Sequence, residues 1–163
     1  MTNQLNFKMT QEEKHRLLLD ICARLPYGVK IHLETSEYGE LIGTLDAIYP
    51  IEERVIVDNL NKVIAPVNVR CGGFKIEENN VKPYLRPMYS MTEEERGEFT
   101  KLFCKWYDDE LFDYIEEETE FSIWKHKGIS PVVFDWLNAH YFDYRGLIEK
   151  GLALEATEGM YNI

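Results

Sequence analysis

The sequence has few cysteines, and their spacing excludes two classes of small protein. Cys22, Cys71 and Cys104 are the only three among 163 residues, and no two of them form a CxxC pair. An odd count without that spacing argues against a disulfide framework and against a zinc knuckle. Cys22 and Cys104 fall among apolar residues of predicted helices, where we expect cysteine to be a small buried side chain.

Long apolar runs are also missing from the chain. No stretch approaches the roughly 18 apolar residues that a membrane-spanning helix needs. Residues 1–4 are polar and lack the basic-then-apolar order of a signal peptide. We therefore expect a cytoplasmic protein with no membrane association.

Recognisable catalytic and cofactor motifs are absent as well. The chain contains no GxxxxGK(S/T), GxGxxG, GxSxG or HExxH pattern. These patterns mark phosphate cradles, dinucleotide sites, nucleophile elbows and zinc proteases. Their absence favours a non-enzymatic protein, and the sequence predicts no cofactor.

The chain does contain enough apolar material for a packed core. Hydrophobic residues make up 45% of it and aromatic residues 13%, a composition that argues against global disorder. A length of 163 residues fits one domain or two small, tightly packed ones.

Negative charge is concentrated in one segment. The formal net charge is −11, from 18 basic and 29 acidic side chains. Residues 92–120 hold 3 basic and 12 acidic side chains, whereas residues 1–91 and 121–163 each carry a net charge of −1. Such a segment repels phosphate backbones and favours basic partners or cations.

The N-terminal part is predicted to begin with a helix. Thr10 and Glu13 have the spacing of a capping box, and apolar residues then recur at helical intervals until Pro26 and Gly28. In residues 29–34 apolar and polar side chains alternate strictly, which predicts a strand with one buried face.

Further short strands are predicted along the chain. They lie at residues 41–48, with Gly43 as a candidate bulge, and at residues 55–57, 62–69 and 74–76. Their short connections predict an antiparallel sheet or a barrel-like meander.

The C-terminal part is predicted to be mainly helical. Thr92 and Glu95 form a second capping box, and apolar and aromatic residues continue at steps of three and four as far as Ile115. Another helix is expected to begin at Pro131, where proline occupies the first helical position.

Two short elements are expected near the end of the chain. Residues 143–150 predict a short helix with Gly151 as its left-handed cap. Residues 152–156 alternate in polarity and predict a final strand. The sequence thus predicts an α+β fold, with a helix and small antiparallel sheet in residues 1–91. A helical half would follow in residues 92–163, packed with the first as one globular unit.

Seven strings of the sequence carry a resemblance to a known family. The strings cover Cys22–Gly28, Lys82–Met88, Ser90–Glu95, Asp135–His140, Phe142–Ile148, Gly151–Ala156 and Glu158–Tyr161. Through them most of the chain resembles a family of uncharacterised proteins from gut Bacteroidetes and their phages or prophages. Residues 60–81 and 97–130 resemble it least. No activity or catalytic residue comes with that family, and the resemblance implies a bacterial or phage cytoplasmic protein.

The acidic cluster is the first candidate contact surface. It comprises Asp108, Asp109, Asp113, Glu116 and Glu117. One interpretation is a docking face for a basic protein, or an imitation of nucleic-acid phosphates. The other is the solvated face of an amphipathic helix. A calcium loop is not indicated, because its alternating ligands around a central glycine are missing.

The stretch of residues 82–87 holds the second candidate contact surface, Tyr84 and Arg86. Two prolines disfavour a helix and a central strand, so we expect an extended connector between the two halves. Arginine held between prolines is suited to bind a carboxylate or phosphate through two hydrogen bonds. The alternative is a structural salt bridge that ties the halves together.

His140 and Asp143 are weak candidates for metal ligands. Spaced three apart, they would share one face of a helix. The competing interpretation makes Asp143 the N-cap of the next helix. Only with a metal ion would the pair support a third candidate function, a metal-dependent hydrolase.

Nucleic-acid binding is the second candidate function. A helix followed by about five short strands is the element order of small RNA-binding barrels, which is an analogy of fold alone. The chain offers no basic footprint, so we consider nucleic acid an improbable partner.

The leading hypothesis is a non-enzymatic interaction or accessory protein of a bacterium or its phage or mobile element. It would use its acidic helix face to contact a protein of unknown identity, and a basic partner is expected from the charge. Aromatic residues between Phe99 and Ile115, with Phe112 on the opposite side, also leave room for a homo-oligomer.

Overall fold

The computed structural model describes residues 8–62, 73–104 and 131–162. By their internal contacts the residues form two compact units, residues 1–84 and residues 85–163. In these three ranges no helix has the length and apolar character needed to cross a membrane. The predicted α+β class is confirmed, and the packing of the two predicted parts into one globular unit stays a prediction.

Helix α1, Gln11–Arg24, begins and ends where the sequence predicts. The Thr10 hydroxyl accepts a hydrogen bond from the Glu13 amide at 3.2 Å, and the Glu13 carboxylate accepts one from the Thr10 amide at 2.7 Å. These reciprocal bonds satisfy two amide groups that the first helical turn leaves open. A 3-10 turn at Leu25–Tyr27 follows, and Gly28 closes it with a φ of +66°.

The buried face of α1 differs from the one predicted from its apolar residues. Leu17 and Ile21 are fully buried, but so are Asp20 and Arg24, and Cys22 is exposed. The predicted burial of Cys22 was therefore wrong. At about 100° per residue, Leu17, Asp20, Ile21 and Arg24 lie on one side of the helix, and Cys22 falls outside that side.

The charged residues buried in the first unit contact residues of opposite charge. Arg24 Nε and Nη2 donate to the two carboxylate oxygens of Asp20 at 2.8 and 3.0 Å, with both side chains inaccessible to solvent. Lys14, on the same helix, contacts the carboxylates of Glu53 and Glu77 at 3.0 and 3.1 Å. Buried charges are tolerated when an opposite charge and good geometry compensate their desolvation.

The strands between residues 30 and 85 form an open antiparallel sheet. In chain order they are β1 (Lys30–Thr35), β2 (Gly39–Tyr49), β3 (Arg54–Asp58), β4 (Phe74–Lys75) and β5 (Lys82–Leu85). Their spatial order is β4-β3-β2-β1-β5. Of the two predicted arrangements, the structure therefore has the sheet rather than a closed barrel. The strand predicted at residues 62–69 lies almost entirely outside the described residues.

The central hairpin is buried on more than one face. Ile31 and Leu33 of β1 are fully buried, as the alternating pattern predicts, but His32 between them is also buried. The expectation of one buried face is thus too simple at this residue. Tyr84 lies edge-on to the His32 ring and helps to cover the second face.

The bulge of β2 lies at Asp46 and not at Gly43. The pairing with β3 shifts between Leu45 and Ala47, which leaves the intervening residue without a partner. Gly43 instead allows strand β3 to approach the backbone of β2 closely. A Cβ atom at that position would lie 2.5 Å from Val57 Cγ1.

Residues 82–85 are extended as predicted, but they form strand β5, paired with β1, rather than an unpaired connector. Pro83 is opposite Ile31 and Lys82 is opposite His32 in antiparallel register with β1. Proline lacks an amide hydrogen, but alternate residues of an antiparallel strand direct that group away from a given neighbour. One proline can therefore occupy a strand of this length.

In the described part of the second unit, two α-helices and a short strand surround an aromatic core. Helix α2 covers Glu93–Cys104, helix α3 covers Pro131–Ala139, and strand β6 covers Leu154–Glu155. The buried cluster consists of Phe99, Val133, Leu137, Phe142 and Tyr144. The predicted start of α2 and the final strand are confirmed, and residues 131–139 are helical as predicted, while the helical prediction for residues 105–115 falls outside the described residues.

The helix predicted at residues 143–150 was wrong. This segment consists of hydrogen-bonded turns, and both Gly146 and Gly151 have left-handed φ values of +66° and +71°. A left-handed residue ends an α-helix. Gly146 therefore interrupts the segment only three residues after Asp143.

Candidate functional site

Three potential ligands meet on the β1–β2 hairpin. In an antiparallel ladder, residues two apart on one strand and their direct partners share a face. Register pairs Glu34 with Glu40, and His32 with Ile42. His32, Glu34 and Glu40 therefore lie on the same face of the sheet, with the two carboxylates directly across from each other.

The ligand atoms of this hairpin cluster (His32, Glu34 and Glu40) are close together. One atom from each residue lies within 4.8 Å of the other two. His32 Nε2 is 3.9 Å from Glu40 Oε1, which is too long for a hydrogen bond. The imidazole is nine-tenths buried, whereas both glutamates are exposed. The cluster thus combines one fixed nitrogen with two carboxylates open to solvent.

Neighbouring residues orient the hairpin cluster. Asn80 Nδ2 donates to Glu34 Oε1 at 2.9 Å and restricts the position of that carboxylate. The Tyr84 ring meets the His32 ring edge-on, with centroids 6.2 Å apart. Burial, and then the charge of Glu40, raise the pKa of Tyr84. The tyrosine is therefore neutral at physiological pH and close enough to sense that carboxylate.

The turn between β1 and β2 fixes the register that assembles the cluster. Thr35 Oγ1 accepts from the Tyr38 amide at 2.9 Å and donates to the Gly39 carbonyl at 3.1 Å. Gly39 adopts a φ of +69°, which glycine enters without a steric penalty. This compact turn places Glu40 opposite Glu34, because a slip of one residue would move one of them to the other face.

Arg86, a predicted contact residue, is engaged within the second unit. Its guanidinium donates to the two carboxylate oxygens of Glu95 at 2.7 and 2.9 Å. The same group lies 4.3 Å from the centroid of the Phe142 ring. Both side chains of the ion pair are more than four-fifths buried. The structural interpretation of this arginine is favoured, although the salt bridge lies inside one unit.

Glu95 joins the ion pair to the N-terminus of α2. Its carboxylate accepts from the Thr92 amide at 2.8 Å, and its amide donates to the Thr92 hydroxyl at 3.2 Å, which confirms the predicted capping box. Burial by itself would raise the pKa of Glu95. The hydrogen bonds from Arg86 and Thr92 outweigh burial and hold that pKa below its usual range.

The two predicted metal ligands have other partners. His140 Nδ1 donates to the Trp136 carbonyl at 2.8 Å, and its ring stacks on the Trp136 indole with centroids 3.9 Å apart. The Asp143 carboxylate accepts from the amides of Leu147 and Ile148 at 2.9 and 2.8 Å. This geometry fits the capping interpretation of Asp143, although turns rather than a helix follow it.

The predicted acidic cluster, Asp108 to Glu117, lies outside the described residues. The part of the acidic segment that the structure describes is α2. Its first turn and a half exposes Glu93, Glu94 and Glu98, whereas Glu95 is half-buried against Arg86. Phe99 faces the core. This portion of the segment therefore has an acidic outer face and an apolar inner face.

The hairpin cluster was missed by reasoning from the sequence, although one signal was available. His32 and Glu34 alternate with apolar residues in a predicted strand, and Glu40 follows a turn of about four residues. Pairing across that turn predicts two acidic residues facing each other. Comparison with known proteins adds no further guide, because no protein-family profile, curated protein or solved structure matches the chain.

Proposed function

We propose that this chain is a non-enzymatic interaction protein that binds a basic protein through its acidic segment, residues 92–120. The resemblance stated above leads us to assign it to the cytoplasm of a bacterium, or to a phage or mobile element carried there. The contact surface comprises Asp108, Asp109, Asp113, Glu116 and Glu117. The exposed glutamates of α2 extend this surface towards the start of the segment.

The observation that carries the proposal is the outward orientation of charge along α2. Glu93, Glu94 and Glu98 are exposed, and the segment as a whole carries a net charge of −9. An excess of one sign on an accessible face attracts a partner of opposite sign and accelerates encounter. The remaining acidic residues of the segment begin at Asp108, four residues after the last residue of α2.

We assign the contact to the acidic segment rather than to Arg86. The guanidinium of that residue already binds Glu95 and covers the Phe142 ring. Recruiting it to a partner would leave the largely buried Glu95 carboxylate without its cation. The acidic side chains of α2 require no such rearrangement.

A pull-down with matched charge reversals tests the proposal. One triple variant carries Asp108→Lys, Asp109→Lys and Asp113→Lys. The control carries Glu37→Lys, Glu52→Lys and Glu158→Lys, which changes net charge equally at exposed sites elsewhere. We expect wild type and control to recover the same partner from a bacterial lysate, and the first variant to lose it.

Binding of the partner must also weaken as the salt concentration rises. Raising the ionic strength from about 0.05 M to about 0.5 M shortens the screening length and should release it. Recovery of no protein, or equal recovery by both triple variants, would contradict the proposal.

No observation raises the two alternatives above this proposal. Nucleic-acid binding would need a basic surface, and residues 1–91 are nearly neutral. A binding assay at low salt that detects no binding of RNA or DNA would exclude this alternative, since phosphate contacts strengthen as salt falls. His140 and Asp143, on which the hydrolase alternative depends, make hydrogen bonds that account for their placement without a metal. A homo-oligomer stays a prediction that light scattering can test.

A further inference from the structure

The hairpin cluster contains an electrostatic conflict that a cation would remove. Glu34 and Glu40 occupy directly opposed positions of the β1–β2 ladder. Like charges in such a pair destabilise the sheet. Neither carboxylate forms a salt bridge to lysine or arginine in the described parts of the chain. Lys82 of β5 is the direct partner of His32 across the neighbouring ladder and lies on the same face of the sheet.

His32 adds an independent observation that points to a ligand. Its side chain is nine-tenths buried, yet neither ring nitrogen has a hydrogen bond within the described residues. Nδ1 is enclosed without a partner, and Nε2 lies 3.9 Å from Glu40 Oε1. Buried polar atoms are normally satisfied. An ion on Nε2 would give this ring a partner that the described residues do not supply, and the two carboxylates within 4.8 Å would share it.

We propose that His32, Glu34 and Glu40 bind one divalent transition-metal ion at the β1–β2 hairpin, outside the acidic segment of residues 92–120. The nitrogen donor is His32 Nε2, and each glutamate contributes one carboxylate oxygen. Three protein ligands leave further positions open to water or to a donor atom of another molecule. The site is independent of the proposed protein contact.

The donor set selects the class of metal. One imidazole with two carboxylates suits Zn²⁺ and its first-row neighbours, whereas Mg²⁺ and Ca²⁺ prefer all-oxygen sites. In a tetrahedral zinc site with bonds of about 2.0–2.2 Å, the ligand atoms lie about 3.3–3.6 Å from one another. The three donor atoms of the hairpin cluster lie within 4.8 Å of one another, so the carboxylates must move slightly closer to bind the ion. Both are exposed, so they have the freedom to do so, whereas the imidazole is already fixed.

Asn80 is a positioning residue for this ion. Its amide nitrogen donates to Glu34 Oε1 at 2.9 Å and so restricts the carboxylate that would bind the ion. Groups that orient a ligand typically contribute about 10- to 100-fold to metal affinity. Asn80 itself has a φ of +43°, so Asn80→Gly removes the donor without straining the backbone.

Calorimetric titration of the full chain, first stripped of metal by a chelator, tests the site. Zn²⁺ is the probe, and the variant carries Glu34→Gln with Glu40→Gln. Both changes keep side-chain volume at exposed positions. We expect this double variant to lose one equivalent of Zn²⁺ binding or to weaken it at least about tenfold. Asn80→Gly should weaken the same equivalent.

The matched control carries Glu37→Gln with Glu52→Gln, which removes two exposed carboxylates outside the hairpin cluster. It should bind Zn²⁺ as wild type does. A thermal melt separates loss of binding from loss of fold. Without metal the double variant should melt at or above the wild-type temperature, since the opposed charges are gone. With Zn²⁺ only wild type and control should gain thermal stability.

Three results would overturn the proposal. The first is Zn²⁺ binding that Glu34→Gln with Glu40→Gln leaves unchanged. The second is an equal loss in the control pair, which would indicate general attraction to acidic surface charge. The third is competition by Mg²⁺ at equal concentration, which would contradict a nitrogen-containing site.

Discussion

Arg86 and Glu95 form a two-point ion pair, with Nη1–Oε1 and Nη2–Oε2 distances of 2.7 and 2.9 Å. The pair links three features of the second unit. Glu95 caps helix α2 through Thr92, and Arg86 lies over the Phe142 ring. The main chain of Arg86 also bonds to Tyr141 and Asp143 at 2.8 and 2.7 Å. One charged contact therefore holds the start of a helix against the aromatic core.

Arg86→Met should destabilise the protein strongly. The methionine retains most of the apolar stem but leaves Glu95 partly buried without its cation, at a cost of about 3 kcal/mol in unfolding free energy. Urea denaturation measures the change. Lys101→Met, at an exposed position of helix α2, is the control and should change the unfolding free energy by less than about 0.5 kcal/mol. Equal effects of the two substitutions would show that the ion pair is not stabilising.

The ion pair also predicts a pH dependence. Because the folded pKa of Glu95 is lowered, its stabilising contribution is present above the unfolded pKa and is lost as pH falls through the folded pKa. Glu95→Gln keeps the capping geometry and removes this dependence. The difference in unfolding free energy between wild type and Glu95→Gln should be constant between about pH 7 and pH 5. It should shrink below about pH 4.3, and a difference that grows on acidification would contradict the assignment.

Asp143→Ala should loosen the turns that follow α3. The substitution removes the acceptor of the Leu147 and Ile148 amides, at a cost of about 2–4 kcal/mol. Hydrogen exchange should accelerate at these two amides in particular. Glu149→Ala, an exposed carboxylate in the same segment, is the control and should leave both amides protected. Unchanged exchange in Asp143→Ala would refute the capping role.

Two glycine-to-alanine substitutions should have opposite signs. At Gly43 a Cβ would come within 2.6 Å of the Asp58 carbonyl oxygen as well as meeting Val57, so the β2–β3 pair must shift. We expect a loss of about 1–3 kcal/mol. At Gly97, inside α2, a Cβ meets nothing within 4 Å, and alanine should add about 0.5–1 kcal/mol. Thermal melts of both variants check the contrast, and a stabilising Gly43→Ala would contradict the observed packing.

Reasoning from the sequence worked best where the deciding contacts are local. Thr10 with Glu13, and Thr92 with Glu95, were predicted as capping boxes and are present as such. Residues three apart at a helix start are brought together by the helical backbone itself. No information about the rest of the fold is required to predict these bonds.

The same reasoning failed where burial depends on distant parts of the chain. Cys22 was expected to be inside and is exposed, because α1 buries the Asp20–Arg24 pair instead. Apolar periodicity cannot anticipate that two opposite charges four residues apart will satisfy each other in the core. Residues 82–85 likewise pair with β1 despite Pro83. The register places this proline where the backbone nitrogen does not have to donate a hydrogen bond to β1.

The sequence by itself determined the α+β class, the starts of helices α1 and α2 and the location of the excess negative charge. Each depends on composition or on spacing of a few residues, which local backbone geometry converts directly into structure. Tertiary structure alone decided that Arg86 meets Glu95, that Lys14 lies between Glu53 and Glu77, and that His32 faces two glutamates. These contacts arise from strand register and packing, which join residues that the sequence separates by many positions.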